Sequence, residues 1–187
     1  MSSSSREAIL AAARRVAQAR GYGGLNFRDL ADEVGIKHAS IYYHFPGKAD
    51  LGVAVAQRYR EDNAAVLQAL AIDAGDPALC LRRYPETFRM ALTNDNRMCL
   101  ASFMAAEYDD LPEAIRSEIQ AFTDANVAWL AKTLSEANGG RPHDHEAKAR
   151  AIFAAIAGAQ LMARSRADVS LFDTLVDTYR SAGLLQP

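Results

Sequence analysis

Residues 34–51, VGIKHASIYYHFPGKADL, crowd two adjacent tyrosines, two histidines and two lysines around a short apolar frame. Just upstream, Asn26 is a good N-cap with Asp29 in the first turn that follows, and Gly35 is a natural stop. A helix from Asn26 to Gly35, a two-residue turn at Gly35 and Ile36, and a third helix over 37–45 together have the spacing of a helix-turn-helix. Ile36, Ile41 and Phe45 then face Leu30 and Val34, which leaves Lys37, His38, Ala39, Tyr42 and Tyr43 pointing outward. A lysine on the first turn opposes the partial positive charge of a helix start. The conflict disappears if DNA phosphates lie there, because they accept both lysine and helix amides. Tyr42 and His44 can donate to phosphate oxygens, and Lys48 opens the next helix, where the same argument applies. Base edges then meet the outer face. The bland alternative makes Tyr43 and Phe45 core aromatics.

Outward from this stretch, the chain reads as all-α. Alanine-rich periodic segments recur without a strand pattern among the 187 residues, half of them hydrophobic. A first helix is expected over 5–19, capped by Ser4 with Glu7 and stopped at Gly21, with Ile9, Ala12, Ala13 and Val16 buried. Beyond FPGK, longer helices are expected over 47–71, 78–93, 97–108, 112–137, 143–166 and 168–182. Pro77 and Pro112 suit first turns, and Pro85 should kink its helix. The simplest layout is a DNA-binding head, residues 1–50, joined by a long helix to a larger body, residues 51–187.

Charge supports that division. Residues 1–50 carry seven Lys/Arg against five Asp/Glu, a balance of +2, and the remainder carries fourteen against eighteen, a balance of −4. The head can meet a polyanion that the body would avoid. No apolar run approaches the roughly 20 residues of a membrane span, and the start lacks a basic segment followed by an apolar core, so a cytoplasmic protein is expected. Cys80 and Cys99 are far apart, without CxxC spacing, and imply neither a disulfide nor a zinc site.

From Ile9 to Leu51 the sequence, ILAAARRVAQARGYGGLNFRDLADEVGIKHASIYYHFPGKADL, resembles the DNA-binding head of TetR-family transcriptional regulators, most specifically in IYYHF with Lys48 and Leu51. The resemblance implies DNA contacts from Asn26 and Arg28 on the second helix. It also implies Lys37, His38, Ala39, Tyr42 and His44 on the recognition helix, with Lys48 as a phosphate clamp. Two positions depart from the family pattern, Lys37 for its usual serine and Ala39 for a common glycine, so the bases read cannot be inherited. Lys37 and His38 can address a guanine edge or a phosphate.

The resemblance further implies a homodimer in which the last two long helices form a four-helix bundle with their symmetry mates. KARAIFAAIAGAQLMA fits, with Ala151, Ala154, Ala155, Gly158 and Ala159 small enough for close approach, as does SLFDTLVDTY with Phe172, Leu175 and Tyr179. The alternative is that these faces close the monomer core. An effector pocket for a small molecule is implied in the body, with Tyr84, Phe88, Phe103, Met104, Phe122, Asn126, Trp129 and Met162 as candidate lining residues. Cys99 is read as lying in the first turn of a helix starting near Asn96, with Arg97 close by, an environment that favours a reactive thiolate. RMCLASFMAAEYDDLP also resembles a TetR subgroup with a Cys, AAEY, LP run, and some family regulators with a cysteine in a similar region respond to electrophiles or oxidants. Packing as a small hydrophobe is the other reading of Cys99. RPHDHEAKAR reads as an acidic helix start rather than a metal site.

The expectation is therefore a dimeric, ligand-responsive repressor that binds a palindromic double-stranded operator and is released by an effector, with no cofactor, metal or membrane partner. The rivals are a helical enzyme using Cys99 or Glu107, in which no nucleophile stands beside a base, and a protein-interaction scaffold, which leaves Lys37, Tyr42, His44 and Lys48 unexplained.

Overall fold

The computed structural model describes residues 3–186, with side chains from Ser5. All regular structure among them is helical: α1 (Ser3–Arg20), α2 (Phe27–Val34), α3 (His38–His44), α4 (Lys48–Ala74), α5 (Pro77–Arg83), α6 (Glu86–Thr93), α7 (Leu100–Ala105), α8 (Glu113–Asn138), α9 (Glu146–Ser165) and α10 (Val169–Ser181). Short 3₁₀ segments cover Tyr108–Asp110 and Pro142–His145. None of these helices is long and apolar enough to cross a membrane. The chain divides into two compact units. One takes the chain up to Glu61 together with Leu100–Ala121, and the other takes Asp62–Cys99 together with the chain from Phe122 onward.

In the first unit α1 packs against α2 and α7, so it buries a wider stripe than one partner would need. Ile9, Ala12 and Ala13 are joined in the core by Leu10 and Ala17, while Val16 is only half-buried. The helix starts at Ser3, so Ser4 lies within it rather than at its cap. Glu7 instead accepts from Arg58 on α4 at 2.6 and 3.1 Å. The turn into α3 follows local chemistry closely. Asn26 Oδ1 accepts from the Arg28 and Asp29 amides, 2.8 and 3.3 Å away, and caps α2. At the other end Gly35 takes φ +73°, a left-handed conformation that costs glycine nothing and lets its N–H close on Asp32. Lys37 has extended backbone angles and is the N-cap of α3, one residue before its expected place in the first turn, and it makes no capping hydrogen bond. Ile41 and Phe45 pin α3 to the core with Leu30 and Leu51.

In the second unit Asp76 caps α5, accepting from the Leu79 amide at 2.8 Å, and Pro77 takes the first helical position. Pro85 breaks the expected 78–93 helix outright into α5 and α6, since it lacks an N–H to continue the ladder and its ring crowds the preceding turn. The expected 97–108 helix is shortened at both ends. Asp95 and Asn96 take left-handed φ of 57° and 52°, the chain stays non-helical to Cys99, and α7 has only six residues. Asn96 fixes that turn by donating its side-chain amide to the Arg164 carbonyl at 3.1 Å. Asp168 caps α10 through the Ser170 and Leu171 amides, and α6 packs on the α9–α10 hairpin. There Arg89 reaches Asp173 through two bonds of 2.7 and 2.8 Å.

Candidate nucleic-acid interface

Helix α3 is short, and only Ile41 along its length is buried. Its remaining surface is aromatic and polar because the core needs just one side of a seven-residue helix. Tyr43 is 81% exposed and Tyr42 50% exposed. The two differ in support. The Tyr42 ring stands edge-on to Phe27 (5.0 Å between centroids) and to His38 (5.2 Å), which fixes its direction. Tyr43 touches only the His44 ring, at 5.1 Å, among the ring contacts. Lys37, His38 and Ala39 are exposed beside them, as is Arg28 on α2. Neither Arg28 nor Lys37 forms an ion pair among the described residues, whereas Arg15 is tied to Glu33 at 2.6 Å and Arg60 to Glu118 at 2.9 Å elsewhere in this unit. Two cations beside a row of rings thus stand without an ion pair among the described residues.

The sequence-assigned residues do not all stand free. Asn26 spends its side-chain oxygen on the α2 cap, which leaves its NH₂ as the group able to meet a ligand. Lys48 is anchored: its ammonium donates to the Gly23 carbonyl at 3.1 Å and lies 4.7 Å from the centroid of the Tyr22 ring. Two N–H groups remain on it for a second partner. The sequence reading missed Tyr22, Arg6 and the structural part of Glu107. Arg6 lies over the Phe45 ring at 5.2 Å. Glu107 accepts from the Tyr22 amide at 2.6 Å and the Gly23 amide at 2.9 Å. The GYGG run was the available signal, since four such residues mark a tight turn that something must hold.

The profile described as bacterial regulatory proteins of the tetR family matches residues 9–55, the stretch that contains α2, α3 and the start of α4. The HTH-type transcriptional regulator LmrA of Bacillus subtilis is 41% identical over 58 residues, which make up 30% of this chain and 31% of that relative, so the match spans about a third of its length. A TetR transcriptional regulator from Legionella pneumophila superposes with a TM-score of 0.87 at 29% identity, over 97% of each chain. A TetR-family regulator from Agrobacterium tumefaciens gives 0.85 at 28% identity, over 94% of this chain and 95% of its own. The N-terminal stretch is thus similar to the tetR-family head, and the chain as a whole is similar in fold to TetR-family regulators. Its all-α fold is shared with these structures over 94–97% of the chain, and the relatives it resembles are transcriptional regulators rather than enzymes.

The residues expected to line a TetR-type effector pocket fall into separate places. Phe103 and Met104 belong to the first unit, where Met104 is fully buried. Tyr84, Phe88, Phe122, Asn126 and Trp129 come together in the second. Tyr84 stacks on Trp129 at 5.8 Å and lies 5.9 Å from Phe88. Its hydroxyl donates to Asn126 Oδ1 at 3.1 Å, and the Asn126 amide donates to the Phe122 carbonyl at 2.9 Å. Burial holds the Tyr84 phenol well above its ordinary pKa, so it is a neutral donor. Met162 does not share this site: it is 48% exposed on the outer side of α9. It was a candidate lining residue of the pocket that the resemblance implies, but the inner side of α9 is taken by Ile152, Ile156, Ala159 and Ala163.

Cys99 is 2% exposed and precedes α7 instead of lying in the first turn of a helix. Its N–H is held by Gln160 Oε1 at 2.9 Å, while Gln160 donates to the Phe88 carbonyl at 2.7 Å. Arg97 is turned to Asn94 and Asp95, at 3.2 and 2.7 Å. Asp144 and Glu146 serve their own helix start: Asp144 accepts from the Arg141 amide at 3.0 Å, and Glu146 meets His143 and Arg150.

The expected dimer residues also divide. Ala151 and Gly158 are exposed, Ala155, Leu175 and Tyr179 are half-buried, and Ala159 and Phe172 are core. Small residues occur all round α9, so composition alone could not separate its two sides. The exposed side runs Ala151, Ala154, Gly158, Leu161, Met162, a stripe at helical spacing.

Proposed function

We propose that this protein is a transcriptional repressor that binds a palindromic operator as a homodimer and lets go when a small molecule enters the second unit. The observation that carries the DNA reading is the face of α2 and α3, where Arg28 and Lys37 are exposed and, among the described residues, form no ion pair, next to His38, Tyr42 and Tyr43. Cations without carboxylates suit phosphates, and directed rings with polar tips suit base edges and sugar. Ala39, small at the centre of that face, lets the helix backbone come close to the groove. Asn26 and His44 donate at its margins, and Lys48 offers phosphate the two N–H groups it does not spend on Gly23. The family's dimeric habit and the exposed Ala151, Ala154, Gly158 stripe support a seam between α9 helices, which Ala155, Leu175 and Tyr179 would extend. Two heads so joined read half-sites about one DNA turn apart.

For the effector, the cluster of Tyr84, Phe88, Phe122, Asn126 and Trp129 favours a mainly apolar molecule with one or two hydrogen-bonding groups. Three side chains in that set carry a polar group: Tyr84 and Asn126, which are bonded to each other, and Trp129 with its indole N–H. Cys99 belongs to the core beside this cluster and acts by packing, not as a thiolate sensor. Glu107, the other residue a helical enzyme would need, spends both carboxylate oxygens on backbone amides.

A gel-shift titration with mixed-sequence duplex DNA over a salt series tests the DNA reading. Wild type should bind with a steep salt dependence, and Lys48→Ala should lower affinity on every sequence and flatten the slope by about one unit. An unchanged slope removes Lys48 from the phosphate contacts. Sedimentation tests the seam. Gly158→Leu, whose Cβ would meet open space within its own chain, should separate the protomers, and a variant that stays fully dimeric moves the seam elsewhere.

A further inference from the structure

The turn between α1 and α2 is held from outside by three groups. Glu107, just past the end of α7, gives one carboxylate oxygen to the Tyr22 amide (2.6 Å) and the other to the Gly23 amide (2.9 Å). Lys48, at the start of α4, takes the Gly23 carbonyl (3.1 Å) and lies over the Tyr22 ring (4.7 Å). The other edge of that ring is closed by Gly52 and Ile115: a Cβ added at Gly52 would lie 2.5 Å from Ile115 Cδ1 and 2.9 Å from Tyr22 Cε2. Gly21 completes the clamp. Its φ of +71° favours glycine, and any Cβ there would collide with the Glu107 carboxylate. One residue thus connects two charges of opposite sign, with Glu107 on the N–H of Gly23 and Lys48 on its C=O.

We propose that Glu107 is a positioning residue for DNA binding, acting through the Tyr22–Gly23 turn to fix where the Lys48 ammonium stands. The proposal rests on the DNA-binding reading of Lys48 and adds to it a residue 84 positions from the turn it holds. The chemistry requires a carboxylate. Two amides converging on one side chain need two acceptor oxygens, and an amide side chain offers only one, turning its NH₂ against the second N–H. A charge-assisted bond of this kind is also stronger than a neutral one. With the carboxylate gone, the turn is free to rotate, and the carbonyl and ring that seat Lys48 move with it. The short stretch 100–121 therefore belongs to the DNA-binding apparatus as well as to its fold.

The direction of the effect separates this role from simple charge. Glu107 is an anion in a DNA-binding unit, so if it acted by its field alone, removing it would tighten binding. Positioning gives the opposite sign. Full-length wild type, Glu107→Gln, Lys48→Ala and the double variant are titrated with a mixed-sequence duplex of about 30 base pairs at several salt concentrations, with thermal melts recorded in parallel. Glu107→Gln is expected to remain folded, to bind about tenfold more weakly, and to lose about one unit of salt slope. In the Lys48→Ala background the same change should cost no further affinity, because the residue it acts through is gone. Glu107→Gln binding as tightly as wild type, or more tightly, overturns the proposal, and so does an equal loss in both backgrounds. If Glu107→Gln melts early, Tyr22→Leu carries the same test, since it removes the ring under Lys48 and leaves Glu107 intact. It should reproduce the loss of slope, and a wild-type slope in that variant overturns the proposal. A wild-type chain that binds no duplex at all overturns the DNA reading and this inference together. A wild type that binds, with variants that match it, overturns this inference alone.

Discussion

The two units treat their arginines differently. In the second, Arg83 reaches Asp73 and Glu86, Arg89 reaches Asp173, and Arg180 reaches Asp177. In the first, Arg58 and Arg60 are paired in the same way, but the α2–α3 face keeps Arg28 and Lys37 without a carboxylate. The contrast indicates which surface the chain completes by itself and which it leaves for another molecule. A paired guanidinium is already satisfied and adds little to binding a polyanion. A bare cation beside exposed rings can exchange its water and counterions for phosphate.

Reversing one bare charge should break the contrast most strongly. Lys37→Asp puts an anion where the DNA reading needs a cation, and affinity for duplex DNA should fall on the order of a hundredfold through lost contact and like-charge repulsion. The same change should stabilise the fold by about 1 kcal/mol, because Lys37 is the N-cap of α3 and makes no capping bond, while aspartate at that position accepts one. Urea unfolding and a shift assay on one preparation measure both. Loss of stability together with loss of binding would show that Lys37 matters to the fold and not to DNA.

The paired tyrosines sharpen the comparison within the face itself. Tyr42→Ala removes edge contacts to Phe27 and His38 and should cost about 0.5–1.5 kcal/mol of stability. Tyr43→Ala should leave stability within about 0.5 kcal/mol, since that ring is almost wholly exposed. Both should weaken DNA binding by roughly three- to tenfold, the worth of one net hydrogen bond. Equal stability losses would mean that Tyr43 is packed in solution, and unchanged binding by both would take the rings out of the interface.

How far the sequence could be read depended on whether structure was set locally. Asn26, Asp29 and Gly35 define α2 through bonds within a few residues of themselves, so its limits were legible, and with them the helix-turn-helix. The α6–α7 connection was not, because its form depends on distant groups. Asn96 is held by the Arg164 carbonyl and Cys99 by Gln160, and neither partner is visible from the local pattern. The same reason hid the turn clamp of Glu107. On α9 the difficulty was ambiguity instead: Ala151 and Ala159 are the same residue, one exposed and one buried, and only the packing of α6 and α10 decides which is core. Of the DNA face, the outward set was legible from amphipathicity, while the prior engagement of Lys48 and Asn26 was not.

The smallest expected effect concerns a charge that the second unit has already satisfied. Asp173 has its carboxyl held below the ordinary range, first by its hydrogen bonds from Arg89 and then by that residue's charge with Arg180 adding to it, against an opposing cost of burial. A carboxylate whose folded pKa is depressed contributes stability at pH values above its unfolded pKa of about 3.9, and that contribution drains away as pH falls through the lower folded value. The side chains of Arg89 and Asp173 are 42% and 45% exposed, so solvent screens the pair and its worth is about 0.2–1 kcal/mol, with the two-bond geometry favouring the upper end. Asp173→Asn should therefore melt slightly below wild type at pH 7, and the gap should narrow as the pH falls below about 3.9, where the unfolded chain takes up its proton before the folded one does. Added salt should narrow it at pH 7 as well. Melting curves at three pH values and two salt concentrations decide the matter. A gap that is constant in pH and salt would mean that Asp173 holds α10 to α6 by shape and neutral hydrogen bonding, and that the charges of the second unit are as idle as those of the α2–α3 face are available.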